Sequence, residues 1–246
     1  MSVSGKESKG DPMSTTYHRP SSERGYFKND WLEARYSFSF SNYYNPNHIG
    51  FGPLIVINQD CVQPKMGFGF HSHDNMEIVT IVTNGELKHR DTLGNEALIV
   101  PGMVQSMSAG VGITHSEVNN SATEPLKLLQ IWIQPNKLNI QPKYQEVKVN
   151  KTDSSQLTCV ASEEGQKGGV NIQAGADIYW TELRASDEVE FKSKRSGKIW
   201  IQVISGQINV SGQELVAGDG LGLDQAQALI LKAKDQSQFL VFDLNS

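Results

Sequence analysis

The sequence predicts an all-β protein built from two barrels in tandem, and the distribution of strands and turns supports this prediction. Short runs rich in Val, Ile, Phe and Trp recur along the chain, at 54–58, 77–82, 128–133, 199–204 and 239–244. Glycine turns such as Asn84-Gly85 and Ser205-Gly206 punctuate the chain, and no stretch has the periodicity of a long amphipathic helix. Many short strands at near-regular spacing are typical of a sandwich or barrel rather than of alternating strands and helices.

A weak internal repeat predicts two barrels rather than one. The phrase Ile-Val-Thr-Asn-Gly-Glu-Leu at 81–87 returns as Gln-Val-Ile-Ser-Gly-Gln-Ile at 202–208, and both phrases are typical of strand, glycine turn and strand. The stretch 136–151 is rich in Pro, Asn, Gln and Lys and is the predicted linker. We therefore predict a tag or disordered lead over 1–12, an amino-terminal barrel over 13–145 and a carboxy-terminal barrel over 146–246.

Composition excludes several classes of protein. The chain has 246 residues, 38% hydrophobic and 20% charged, with a formal charge of -5 and no clustered Lys/Arg stripe, which argues against a nucleic-acid surface. No run approaches the roughly 18 apolar residues of a membrane span. Cys61 and Cys159 lack the spacing of a zinc or redox pair. The polar start lacks the apolar core of a secretory signal, and Met13 follows it directly, so we expect a cytoplasmic protein. We also expect a monomer.

Paired side chains on two predicted strands point to a metal site. The six histidines are His18, His48, His71, His73, His89 and His115, so none lies in the second half. His71 and His73 stand at i and i+2, as do His115 and Glu117, and a strand presents such a pair on one face. Three imidazoles and one carboxylate suit a divalent first-row ion, since no thiolate is nearby. We predict one metal ion in the amino-terminal barrel and none in the carboxy-terminal barrel.

Glu77 offers an alternative fourth ligand, because it has the same strand parity as the first histidine pair. A bulge at Asp74-Asn75 would turn Glu77 away, whereas the i, i+2 relation of Glu117 to His115 needs no bulge. We favour Glu117 as the ligand.

We do not expect the other three histidines, or the two phenylalanines beside the first histidine pair, to bind the metal. His18, His48 and His89 lie in polar stretches, and we expect them to be exposed. Phe68 and Phe70 have the opposite strand parity to the neighbouring histidines, so we expect packing roles for both.

From about residue 18 to its end the chain resembles the pirin family, and within it the bacterial quercetinase-like branch. The most specific carriers of this resemblance are Gly67-Phe-Gly-Phe-His71-Ser-His73-Asp-Asn-Met-Glu77-Ile, His89-Arg-Asp-Thr-Leu-Gly-Asn95, Gln105-Ser-Met-Ser-Ala-Gly110, His115-Ser-Glu117 and Leu129-Gln-Ile-Trp-Ile133. The sequence departs from the family pattern at Ser72, where proline is usual between the histidines, and at Asn84, where glutamate is usual. Neither departure falls on a predicted ligand.

The resemblance implies two cupin barrels of the jelly-roll type, with a single metal held by His71, His73, His115 and Glu117. It also implies, as in several family members, a dioxygenase of the quercetin 2,3-dioxygenase type, acting on a flavonol-like substrate and dioxygen. Glu117 would then be both a ligand and the general base. Iron is the expected ion, with copper, nickel, manganese, zinc or cobalt as alternatives.

Two other functions stay open at this stage. The resemblance also implies, for some members, a metal-binding regulator or redox sensor that acts through a protein partner. A metal-dependent isomerase or hydrolase of a sugar-like ligand is less favoured, because the sequence shows no phosphate-binding glycine loop or arginine cluster.

Overall fold

The computed structural model describes residues 16–149, 156–165, 168–225 and 228–246. Within these ranges the chain forms twenty-two strands and one 3-10 turn, η1 (Ser21–Glu23), and no α-helix, which confirms the all-β prediction. The predicted lead at 1–12 lies outside the described residues. None of the described residues belongs to a helix with the length and hydropathy needed to cross a membrane.

The first half of the chain contributes twelve strands. They are β1 (Thr16–Arg19), β2 (Gly25–Lys28), β3 (Leu32–Tyr36), β4 (Leu54–Val62), β5 (Gly67–His73), β6 (Glu77–Asn84), β7 (Leu87–Asp91), β8 (Glu96–Ile99), β9 (Met103–Ser108), β10 (Ile113–Asn119), β11 (Leu126–Ile133) and β12 (Lys143–Lys148).

The second half contributes ten strands. They are β13 (Thr158–Ser162), β14 (Val170–Asn171), β15 (Ala176–Leu183), β16 (Glu188–Lys192), β17 (Lys198–Ser205), β18 (Gln207–Val210), β19 (Gln213–Val216), β20 (Gly220–Asp224), β21 (Ala228–Ala233) and β22 (Ser237–Leu244).

Each half is a pair of sheets, as a jelly-roll requires. In the first half a seven-stranded sheet of order β12-β9-β6-β11-β4-β3-β2 lies opposite a four-stranded sheet of order β5-β10-β7-β8. In the second half the orders are β1-β20-β17-β22-β15-β13-β14 and β16-β21-β18-β19. The two halves therefore share one architecture, which agrees with the internal repeat in the sequence.

Two pairings bear on the predicted organisation of the chain. Strand β1 pairs with β20, so the first described strand belongs to a sheet of the second half. Strand β12 lies inside the stretch 136–151 that we predict to be the linker, and it pairs with β9 of the first half. Residues 150 and 151 of that stretch lie outside the described residues. The division of the chain at 145/146 remains a prediction.

The two seven-stranded sheets meet through a shared apolar core centred on Trp200. This indole is fully buried, and its ring centroid lies 4.9 Å from Phe38, 5.5 Å from Phe51 and 5.8 Å from Tyr17. Gly220 leaves room for it, since an added Cβ would lie 2.3 Å from the indole. A strand of the second half thus supplies the side chain on which aromatic residues of the first half pack.

The other face of the first-half sheet carries a row of polar side chains that face the four-stranded sheet. The strand register aligns Tyr36, Asn58, Gln130, Thr80 and Gln105 across β3, β4, β11, β6 and β9. We call these five residues the polar row. Their sequence neighbours on these strands, of opposite parity, include members of the apolar core between the halves. The sheet is therefore apolar towards the second half and partly polar towards its own interior.

Trp200→Ala should lower the free energy of unfolding by about 3–5 kcal/mol, because it removes a fully buried indole and leaves a cavity between the two sheets. Urea denaturation followed by far-UV circular dichroism measures the loss. Val216→Ala, at a 46% exposed position, is the control and should change the value by less than about 0.5 kcal/mol. A loss below about 1 kcal/mol for Trp200→Ala would show that the core does not depend on this residue.

Candidate metal centre

The three predicted histidine ligands converge between strands β5 and β10. His71 pairs directly with His115 across the two strands, and His73 stands two residues further along β5. The ring centroids are 4.5 Å apart for His71 and His115, 4.9 Å for His73 and His115, and 4.8 Å for His71 and His73. One ring nitrogen of each histidine lies within 4.8 Å of the others. Three imidazole nitrogens grouped in this way could hold one metal ion.

A bulge in β5 fixes the orientation of His71. His115 pairs with His71, and Glu117 pairs with Phe68. Between these two pairs β5 advances by three residues and β10 by two, so β5 contains one extra residue. The carbonyl of Gly69 in this bulge accepts a hydrogen bond of 2.7 Å from Nδ1–H of His71. In the neutral ring Nε2 is then the unprotonated nitrogen, which is the form that binds a metal.

The same bulge changes the interpretation of the two phenylalanines. Phe68 packs as predicted, against Trp31 at 5.2 Å, but it also lies 6.4 Å from the ring of His71. The prediction that Phe70 packs is wrong, because that side chain is 65% exposed. The bulge adds one residue between Phe68 and His71 and so places Phe68 on the same face as His71. Phe70 directly precedes His71 and points to the opposite face, which is open to solvent.

His115 is buried with neither ring nitrogen hydrogen-bonded within the described residues. Burial, followed by the neighbouring His71 and His89, lowers the pKa of His115 to about 3, and burial followed by His115 and His71 lowers the pKa of His73 to about 4. Both rings are therefore neutral at pH 7 and able to coordinate. A buried imidazole without a partner is costly, and a metal ion would supply the partner, so these residues fit a metal.

Glu117 enters the site from the interior and is held by the polar row. Its carboxylate accepts hydrogen bonds from Gln105 Nε2 at 2.9 Å, Thr80 Oγ1 at 3.3 Å and Gln130 Nε2 at 2.7 Å. It lies within 4.8 Å of ligand atoms of His89 and His115, but the group of His71, His73 and His115 does not include it. The structure thus brings Glu117 beside one of the three histidines, and its coordination of the ion remains a prediction.

Glu77 lies outside both groups of candidate ligands in the described chain. After His73 the chain leaves the four-stranded sheet, and Glu77 opens β6 in the opposite sheet. Its carboxyl accepts a 2.7 Å hydrogen bond from Ser108, and burial raises its pKa. A change of sheet, rather than a bulge alone, separates Glu77 from the histidines.

The prediction that His89 is exposed is wrong. Its side chain is fully buried, Nε2 lies 3.0 Å from Asp91 Oδ2, and the ring stacks on Tyr144 at 4.4 Å. It also forms a second group of candidate ligands with His115 and Glu117. The sequence held a signal for this, because His89 and Asp91 have the same i, i+2 spacing as the predicted ligand pairs. His18 is exposed as predicted, whereas the prediction that His48 is exposed is wrong, because that residue is half-buried.

Neither departure from the pirin pattern breaks the strands around the site. Ser72 lies between the histidines, and its hydroxyl is 2.7 Å from that of Thr114 on the paired strand. Asn84 donates a 2.8 Å hydrogen bond to the carbonyl of Pro125 at the turn. Both side chains therefore join neighbouring strands.

Comparisons with known proteins agree with this architecture. The family model for pirin matches residues 17–133, and the model for the quercetinase C-terminal cupin domain matches residues 159–244. Quercetin 2,3-dioxygenase of Escherichia coli strain K12 is 38% identical over 228 residues, which are 93% of this chain and 98% of that protein.

Solved structures extend the comparison to three dimensions. The crystal structure of YhhW from Escherichia coli is similar with a TM-score of 0.89 and 37% identity, covering 94% of this chain and 97% of that one. The structure of bacterial pirin YhhW in complex with nickel(II) also has a TM-score of 0.89, with 36% identity and coverage of 94% and 99%. A protein with this fold and closely similar in sequence thus binds a divalent metal.

Removing one imidazole should remove the metal. Protein purified without chelator should carry one equivalent of metal by inductively coupled plasma mass spectrometry, and His73→Ala or His115→Ala should lower that content at least about tenfold, because each loses a ligand. His18→Ala, at an exposed position, is the matched control and should retain the full equivalent. A full equivalent in His115→Ala would refute the site.

The lowered pKa of His115 predicts an acid-sensitive metal-free protein. The pKa of His115 is near 6.5 in the unfolded chain and near 3 in the folded chain. Below pH 6.5 His115 therefore binds a proton in the unfolded state but not in the folded state. The free energy of unfolding should therefore fall as the pH drops from 6.5 towards 4. Urea midpoints in chelator at pH 7 and pH 5 should differ less in His115→Gln than in the wild type, whereas His18→Gln should keep the wild-type difference. Equal differences in all three proteins would contradict this origin.

Proposed function

The chain belongs to the pirin family, and from this premise we propose that it is a metal-dependent dioxygenase of the quercetin 2,3-dioxygenase type. Its substrates would be a flavonol-like compound and dioxygen, and the reaction would open the oxygen-containing ring of the flavonol and release carbon monoxide. The observation that carries the proposal is an aromatic cavity that adjoins the three converging histidines.

Aromatic residues in the wall of the cavity lie next to the histidines, which do not themselves line it. It has a volume of about 230 Å³, and its lining includes Trp31, Phe40 and Phe68. Phe68 lies 6.4 Å from the ring of His71. Phe40 lies 5.4 Å from Trp132, whose ring is in turn 5.0 Å from His73.

The size and chemistry of the cavity favour a planar aromatic substrate. An apolar cavity of about 150 Å³ admits benzene, so this one, of about 230 Å³, admits a substituted aromatic ring. A regulator that only senses a metal or its oxidation state needs no such cavity beside the ion. The cavity therefore favours an enzyme over the regulator as the biological role.

The histidines and Glu117 would have separate roles. His71, His73 and His115 would hold the ion, which when bound makes a coordinated hydroxyl more acidic. Glu117 would accept the proton of the flavonol 3-hydroxyl as general base. Its hydrogen bonds to Gln105, Thr80 and Gln130 keep the carboxylate in one position for this transfer.

We keep iron as the expected ion, because imidazole and carboxylate ligands suit it. The nickel(II) complex of bacterial pirin YhhW makes nickel the first alternative to test. Activity measured after reconstitution of the metal-free protein with each ion separates them.

Glu117→Gln should lower flavonol turnover by about 10²- to 10⁴-fold, because the amide cannot accept the proton. Oxygen uptake and carbon monoxide release with quercetin measure turnover, and metal content is measured in parallel to separate lost catalysis from lost metal. Glu77→Gln is the matched control, a buried carboxylate outside the histidine cluster, and should have a much smaller effect. If Glu117→Gln, Glu77→Gln and His115→Ala all kept wild-type oxygen uptake, the oxidation would not occur at this site. The metal-dependent regulator would then be the better-supported function.

A further inference from the structure

A cleft between the two halves of the chain is lined by hydrogen-bond donors. It has a volume of about 400 Å³, and the first half supplies all of its polar side chains, which are Ser21, Ser22, Arg24, Arg35 and Gln59. The second half contributes small or apolar residues, and no aspartate or glutamate of the described chain lines the cleft. A cavity with several donors and no carboxylate in its lining suits a negatively charged ligand.

Arg35 offers a guanidinium group that no protein group occupies. The residue is exposed, and its guanidinium carbon lies 3.9 Å from the centroid of the Tyr26 ring. Its backbone carbonyl accepts a hydrogen bond, but its side chain forms no hydrogen bond or salt bridge with another described residue. Stacking on an aromatic ring holds the planar fork of an arginine in place while its N–H donors stay free.

Three further side chains of the cleft have donors to spare. The Oε1 atom of Gln59 accepts a hydrogen bond from Arg24, so its Nε2 group remains available as a donor. Ser21 is bonded through its backbone N–H, and the hydroxyls of Ser21 and Ser22 have no hydrogen-bond partner in the described chain. These groups supply donors around the guanidinium of Arg35.

Positive charge is concentrated at this cleft. Arg24 is 5% exposed and donates 2.8 Å and 3.2 Å hydrogen bonds to the carbonyls of Arg35 and Gly218, so it joins the two halves. Burial, followed by the nearby Arg19 and Arg35, lowers the pKa of Arg24 to about 9. The group is still charged at pH 7, and its neighbours repel that charge.

The carboxylates near Arg24 do not balance the arginines. Asp60 and Asp219 are the acidic groups that act on Arg24, so three guanidinium groups stand beside two carboxylates. Asp219 accepts a 2.7 Å hydrogen bond from the backbone N–H of Ser21. A net positive charge is left at the cleft, and an anion would offset it.

We propose that the cleft binds a small organic anion, with a phosphate or carboxylate head group and an apolar part. The fork of Arg35 matches two oxygens of such a head group, and the serine hydroxyls and Gln59 can donate to the remaining lone pairs. Ile204 and Ala217 of the second half would contact the apolar part. This inference does not depend on the proposed function, because no residue of the cleft belongs to the metal centre or to the aromatic cavity.

Phenyl phosphate and benzoate are the probes, and isothermal titration calorimetry at low ionic strength measures their binding. We expect at least one of the two to bind with a Kd below about 1 mM, and the tighter of the two identifies the preferred head group. Benzamide has the same ring and no charge, so it should not bind measurably. Added salt should weaken the binding of the anions, because it screens the attraction to the arginines.

Substitutions of Arg35 test the site with little risk to the fold, because the residue is exposed. Arg35→Gln should raise the Kd of the tighter probe at least about tenfold, because it removes a charge-assisted bidentate contact. Arg35→Lys keeps the charge without the fork and should raise it about threefold. Lys28→Gln is the matched control, since it removes an exposed positive charge from the paired strand β2 outside the cleft, and it should change the Kd less than about twofold.

The metal centre is the other place where an anion could bind, and His115→Ala distinguishes the two sites. This variant should bind the probe as the wild type does. Anion binding that His115→Ala abolishes and Arg35→Gln retains would belong to the metal centre and overturn the inference. Equal losses in Lys28→Gln and Arg35→Gln would show a general effect of surface charge, and failure of both anions to bind the wild type would leave the cleft without a ligand of this class. Either result would also overturn it.

Discussion

The hydrogen bonds between Glu117 and the polar row join the two sheets of the first half at the candidate metal centre. A buried carboxylate needs donors, and here Gln105, Thr80 and Gln130 supply them from three strands of the facing sheet. Those donors coincide in space only because the register of the sheet aligns them in one row. The position of the carboxylate relative to the histidines therefore depends on the pairing of strands that lie far apart in sequence.

The sheet that carries the polar row on its inner face also has apolar packing on both of its faces. The opposite face of this sheet is apolar and packs on the second half, where Trp200 lies among aromatic rings of the first half. The exchange of β1 into the second-half sheet ties the halves together as well. The second half, which has no histidine, thus covers the sheet behind the site, and the interior of the first half holds its own apolar clusters beside the polar row.

Local sequence pattern predicted the fold class and the histidine cluster, because strand alternation and the i, i+2 rule act over a few residues. It did not predict that Phe68 shares a face with His71, since a bulge in β5 changes the alternation without a marker in composition. The burial of His89 depends on stacking against Tyr144, which is distant in sequence.

The central claim is that one ion is bound by His71, His73 and His115, with Glu117 beside it. The described chain contains a second candidate group, His89, His115 and Glu117, so the location of the ion distinguishes the two arrangements. Anomalous X-ray scattering from crystals of the metal-loaded protein, measured on both sides of the absorption edge of the bound ion, locates it directly. The account predicts a single peak per chain about 2.0–2.2 Å from a ring nitrogen of each of the three histidines. A peak bound by His89 instead of His71 and His73, or one in the second half, would contradict it.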